Sequence, residues 1–207
     1  NWVIIARRSL FMPANRSVPD VAEKRKNWNG LISGFSASDL VFLDESGCNT
    51  DMTRRYAYSF GGSRAVDATP LSKPKNTTIL SSIQLNGTLH YTTFLGGTTV
   101  ERFKQYLESD LLPHLDGNSV LIMDNMKSHH AKAVKNLLDS SGIRYIYLPP
   151  YSPDLNPIEK LWSKVKAFLR KFKARTLDTL PNAVQRAFQT VSPSDCSGWF
   201  KSCDYLH

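Results

Sequence analysis

Three carboxylates in this chain, Asp44, Asp124 and Glu159, have the local settings that metal-assisted phosphoryl chemistry requires. Asp44 and Asp124 share one design, in which a run of apolar residues (Leu40 to Leu43, Ser119 to Met123) ends in an acid. A buried strand that ends in a carboxylate can present it to a ligand from a rigid support. Glu159 lies near the start of a helical pattern, with 34 residues between it and Asp124. Mg²⁺ is a hard cation that takes a few carboxylate oxygens and keeps waters for substrate phosphates to replace. Two such ions, about 3.5–4 Å apart, offset charge on the attacking and leaving oxygens of an in-line displacement. Three acids from separate elements suit that task.

Each acid also has an architectural explanation. An Asp after a strand is a common turn former. Asn156 can cap the helix that follows, Pro157 suits its first position, and Glu159 falls at the third, as in a capping box. Glu45 and Asp154 compete for the same roles. His129 and His130 follow Asp124 closely, but adjacent side chains point in different directions, which makes joint metal ligation awkward. Capping of the next helix, or a phosphate contact by His129, suits them better.

The elements that must position these acids can be read from punctuation and periodicity. Helices are predicted over Pro19–Leu31, Thr99–Leu112, His130–Ser140 (stopped by Gly142), from Asn156-Pro157 to Lys173, and over Leu177–Val191. Strands are predicted over Leu40–Leu43, Tyr56–Phe60, Thr78–Gln84, Leu89–Leu95, Ser119–Met123 and Arg144–Leu148, with Asn86-Gly87 as a strong hairpin turn. Antiparallel-type strands followed by alternating helices and strands imply an α/β fold, a mixed sheet with helices on its faces. In the long helix, Ile158, Leu161, Trp162, Val165, Phe168, Leu169 and Phe172 form an apolar stripe, which assigns Trp162 to core packing. At about 100° per residue, Glu159, Ser163, Lys166 and Arg170 fall on a neighbouring stripe. If Glu159 faces metals, Lys166 and Arg170 continue its line and can neutralise DNA phosphates. Lys160, Lys164 and Lys171 point elsewhere and read as a solvated face.

Composition sets the remaining bounds. The 207 residues carry 41% hydrophobic and 21% charged side chains, which fits a globular chain with enough apolar material to fold. No apolar run reaches the roughly 18–20 residues that span a bilayer, so no membrane partner is expected. Cys48, Cys196 and Cys203 are too few and too scattered for a disulfide scaffold; they read as buried free thiols, with a Cys196–Cys203 pair as the alternative in an oxidising compartment. The net charge of +8 is unevenly placed. Residues 1–30 hold six basic and two acidic residues, and residues 160–175 hold seven basic and no acidic ones, so the rest is net −3. An acidic middle between cationic segments is the pattern expected of metals at the centre and a polyanion along the flanks.

Three stretches carry a family likeness. Asp44-Glu45-Ser46-Gly47 followed by Asp51-Met52-Thr53-Arg54-Arg55-Tyr56 resembles the first catalytic region of bacterial insertion-sequence transposases related to mariner. Asp124-Asn125 with His129 resembles the second region. Leu148-Pro149-Pro150-Tyr151-Ser152-Pro153-Asp154-Leu155-Asn156-Pro157-Ile158-Glu159, continued by Leu161-Trp162, resembles the third. The chain departs from the family in having Ala57 where Gly is usual and Tyr58 where Trp is common.

The resemblance implies a ribonuclease-H-like fold in the DDE superfamily, with a mixed five-stranded sheet flanked by helices. It also implies that Asp44, Asp124 and Glu159 are the catalytic, metal-binding triad, with Mg²⁺ as the cofactor in two ions and Mn²⁺ as the alternative. The activity implied is cleavage of DNA at transposon ends and transfer of the freed 3′-hydroxyl into target DNA, by a homodimer acting on transposon ends and target. Arg54, Arg55, His129, Lys166 and Arg170 are the expected DNA contacts. Residues 1–38 are expected to be a basic, partly helical stub following an N-terminal DNA-binding region, and residues 39–207 the catalytic domain with its C-terminal helices. The expected location is the cytoplasm, associated with the nucleoid in a bacterium. Two alternatives stay open at this point: a domesticated, non-catalytic DNA-binding protein, and a ribonuclease-H-like nuclease without strand transfer.

Overall fold

In the computed structural model the described residues are 19–54, 56, 59–70 and 74–206. Five strands form one mixed sheet, in the order β3-β2-β1-β4-β5. They are β1 (Leu40–Cys48), β2 (Thr77–Gln84), β3 (Leu89–Leu95), β4 (Val120–Met123) and β5 (Arg144–Tyr147). β1, β2 and β3 are joined antiparallel, while β4 lies parallel to β1 and β5 parallel to β4. The helices are α1 (Pro19–Ile32), α2 (Val100–Tyr106), α3 (Lys132–Ser141), α4 (Ile158–Phe172), α5 (Leu180–Gln189) and α6 (Pro193–Ser202).

The side-chain alternation of the central strands divides the core in two. Leu40 and Phe42 of β1, with Val120 and Ile122 of β4, face α1, α4, α5 and α6. Val41 and Leu43, with Leu121 and Met123, face α2 and α3. Trp28 and Ile32 belong to the first of these layers, so α1 is packed into the body of the domain. Among the described residues no helix is long and apolar enough to cross a membrane.

Four expectations change. β1 does not stop at Leu43; pairing with β2 carries it on to Cys48, opposite Thr77. The strand expected over Tyr56–Phe60 is not in the sheet. Phe60–Gly62 form a 3₁₀ turn with Gly61 at φ +63°, while Ala57 and Tyr58 lie outside the described residues. The helix expected over Thr99–Leu112 is capped by the Thr99 side chain, then widens into a π-helical stretch, Leu107–Leu111, before the turn containing Pro113. Finally, α6 was hidden in a segment with little apolar periodicity. Its start is nonetheless specified: Ser192 Oγ accepts from the Asp195 N–H, and Asp195 accepts from the Ser192 N–H, a complete capping box. The three cysteines are free and buried, as expected.

Candidate active site

Sheet register brings the two aspartates together. The parallel pairing of β1 with β4 ends at Leu43 opposite Met123. Asp44 and Asp124 are therefore the next residues on adjacent strands, and strands in a sheet lie about 4.8 Å apart. Asp44 shares the parity of Leu40 and Phe42, so it emerges on the α4 side of the sheet. Asp44 is thus not at the end of its own strand. It sits where the parallel partner stops and β1 goes on alone with β2. This is the crevice beyond the carboxyl ends of parallel strands that α/β folds use for ligands.

The third acid arrives from α4. The loop after β5 passes through Pro149, Pro150 and Pro153 and delivers Glu159 to a cavity of about 390 Å³ that Asp44 and Asp124 also line. The capping explanation for Glu159 is not what the fold builds. No side chain caps α4, and Oδ1 of Asn156 is buried without a hydrogen-bond partner. The Glu159 carboxylate is left to the cavity.

A scan against protein families matches residues 39–181 to the family described as "DDE superfamily endonuclease". The chain belongs to the DDE superfamily endonucleases. A search of curated protein sequences found no match. Solved structures of Mos1 mariner transposase are similar in fold. A paired-end complex with Mn matches at a TM-score of 0.80 and 20% identity, over 97% of this chain and 64% of that one. The strand transfer complex matches at 0.73 and 18%, over 98% and 63%. The isolated catalytic domain with raltegravir and Mg matches at 0.66 and 18%, over 91% and 92%. The chain therefore spans less than two thirds of the longer Mos1 chains, and the fold is the ribonuclease-H-like one expected.

Within this DDE endonuclease domain, each aspartate is held by a buried aromatic N–H. Trp162 Nε1 donates to Asp44 Oδ2 at 2.9 Å. His129 Nδ1 lies 2.8 Å from Asp124 Oδ1, and the Met126 N–H donates to that same oxygen at 3.1 Å. His129 is fully buried and stacks on Phe103 with ring centroids 4.2 Å apart. The expected phosphate contact by His129 is therefore corrected, because no face of the ring reaches solvent. Sequence reasoning also missed the role of Trp162, which is more than packing. The available signals were its place three residues after Glu159 on one helix and the need of a buried indole N–H for a partner. Asn125 bridges the end of β4 to the cavity wall through a hydrogen bond from its amide to the Leu148 carbonyl.

The acids differ in their electrostatics. Burial pushes the Asp44 pKa up to about 7, against the lowering effect of Trp162 and with a further push from the charges of Glu159 and Asp124. Glu159 is also raised, chiefly by burial, although Lys166 opposes the shift. Burial works in the same direction on Asp124, but the His129 contact and the Met126 N–H together hold it below the usual carboxylate range. Buried acids that feel one another's charge are a donor set in need of a cation, and hard divalent ions match all-oxygen carboxylate ligands. Among the described residues, no three His, Cys, Asp or Glu side chains lie close enough to enclose a single ion.

The basic residues fall into separate places. Lys166 and Arg170 line a polar cavity of about 330 Å³ with Gly47 and Cys48 at the end of β1 and with Asn49, Asp51, Met52 and Thr53 after it. Arg54 is exposed and lines another cavity, of about 650 Å³, with Lys171 and Lys173. Arg55 lies outside the described residues. Lys164 is not a solvated lysine: its Nζ is 2.6 Å from Asp195 of α6.

Proposed function

We propose that this chain is the catalytic domain of a DNA transposase that cleaves DNA at element ends and transfers the 3′-hydroxyl into a target strand. One observation carries the reading: Asp44, Asp124 and Glu159 of a DDE endonuclease line a single cavity at the carboxyl edge of β1 and β4. Asp44, Asp124 and Glu159 would together hold the divalent metal, with Asp44 feeling the charge of both other acids. The solved Mos1 structures with Mg and with Mn support a divalent metal here. When bound, two such ions supply charge stabilisation for the attacking and leaving oxygens of in-line phosphoryl transfer.

The protein's own residues do the rest. The rigid sheet fixes the aspartates, and their N–H partners orient them. The proline-rich loop from Leu148 to Pro153 walls the cavity. Lys166 and Arg170 lie farther along the helix that bears Glu159, placed to receive backbone phosphates next to the scissile one. Arg54 would extend that path, and Arg55 stays a candidate from its sequence position. Paired-end complexes of Mos1 support action on two DNA ends by a homodimer.

The deciding experiment is a Mg²⁺-dependent strand-transfer assay on DNA with pre-cut 3′ ends. Wild type should join the ends, and Asp44→Asn should not. Joining that survives Asp44→Asn would overturn the assignment of the triad. Cleavage without any joining would replace the transposase with a ribonuclease-H-like nuclease.

A further inference from the structure

Trp162 lies 118 residues from Asp44 in sequence, yet both side chains are buried and the indole N–H meets Oδ2 at 2.9 Å. A buried indole N–H takes a partner; here the partner is a proposed metal ligand rather than a backbone carbonyl. The same helix carries Glu159 three residues earlier, a rise of about 4.5 Å. One rigid turn of α4 thus supplies one carboxylate and grips another. The hydrogen bond links the ligand of β1 to the ligand of α4, so the spacing of these two acids does not depend on the loops between them.

The chemical type of the donor matters as much as its place. A carboxylate has about four lone-pair positions, and one N–H occupies only one. A lysine or arginine at this point would hold Asp44 equally well, but its full charge would repel divalent cations. The indole orients the acid and leaves its negative charge available. We infer that Trp162 is a positioning residue for this site, fixing Asp44 for metal binding through a neutral hydrogen bond. The inference rests on the triad being the metal site.

The test uses the whole chain and two readouts without DNA. Partners of metal ligands typically contribute 10–100-fold to affinity. Trp162→Phe should therefore weaken Mn²⁺ binding by about tenfold in calorimetry, and should have no added effect in an Asp44→Asn background. In ¹H–¹⁵N spectra of the wild type, the indole resonance that Asp44→Asn displaces should move on titration with Mg²⁺. The resonances of Trp28 and Trp199 should stay in place. This second readout holds even if Trp162→Phe fails to fold. Unchanged Mn²⁺ affinity in a folded Trp162→Phe would overturn the positioning role while the metal site stands. So would an indole resonance that ignores Mg²⁺ in a protein that binds it. If Asp44→Asn binds Mn²⁺ as tightly as wild type, the metal site itself is wrong and the inference falls with it.

Discussion

Replacing Asp44 by Asn should make the metal-free protein more stable at neutral to alkaline pH, although the site is expected to lose its activity. Asp44 is 8% exposed, and its pKa is pushed from an ordinary 3.8 up to about 7, first of all by burial. An acid whose folded-state pKa is raised contributes its stabilisation below the ordinary value and loses it as pH rises through the folded value. At about 1.4 kcal/mol per pH unit, the ionised carboxylate costs the fold up to about 4 kcal/mol at pH 8. Asn removes the charge and keeps an oxygen that can accept from Trp162. Burying an amide has its own cost, so the expected gain is about 2–4 kcal/mol, or roughly 4–16 °C in Tm. The assay is thermal or urea denaturation of both proteins in a chelator from pH 4 to pH 8.5. The gap should open between pH 4 and pH 8 and close when Mg²⁺ is added, because only the wild type gains fully from the ion. A variant less stable than wild type at pH 8 without metal would refute the electrostatic account of the site. A gap independent of pH would do the same.

Lys166→Ala and Arg170→Ala should each lower the salt slope of DNA binding by about one, whereas Lys164→Ala should leave it unchanged because Asp195 holds that lysine. Anisotropy titrations across a range of salt concentrations measure this, and equal slopes for all three would remove the distinction. Asp195→Ala deletes both the α6 capping box and the Lys164 pair, and should cost about 1–2 kcal/mol by chemical denaturation. The native protein should react slowly with thiol reagents. All three cysteines are buried, and burial pushes the Cys48 and Cys196 thiols up to about 11, so rapid labelling should begin only when the chain unfolds.

The sheet and its acids were legible to different degrees. An apolar run followed by Asp is readable in one dimension, and Asn86-Gly87 announced the β2–β3 hairpin. The length of β1 was not readable, because Glu45 to Cys48 are held as strand by pairing with β2 rather than by their own propensity. Glu159 looked like a helix cap because Asn156 and Pro157 obey the local rules. Only the packed loop shows Asn156 turned away from that task. Trp162 offered only its place on the helix of Glu159 and its N–H as signals, because its pairing with Asp44 depends on α4 lying over β1. His129 reaches Asp124 within one short segment, where spacing alone does not fix which way the ring turns.

One wall of the cavity is tied to both ends of the described chain. Tyr205 donates to the Leu155 carbonyl at 2.7 Å and accepts from Trp28 at 3.0 Å. Arg25 grips Asp154 of the same loop with both guanidinium nitrogens, at 3.1 and 2.7 Å. The turn that leads into Glu159 is therefore strung like a cable between α1 and the segment after α6. A pull on the polypeptide ahead of α1 reaches Glu159 through four hydrogen bonds and a proline-stiffened loop.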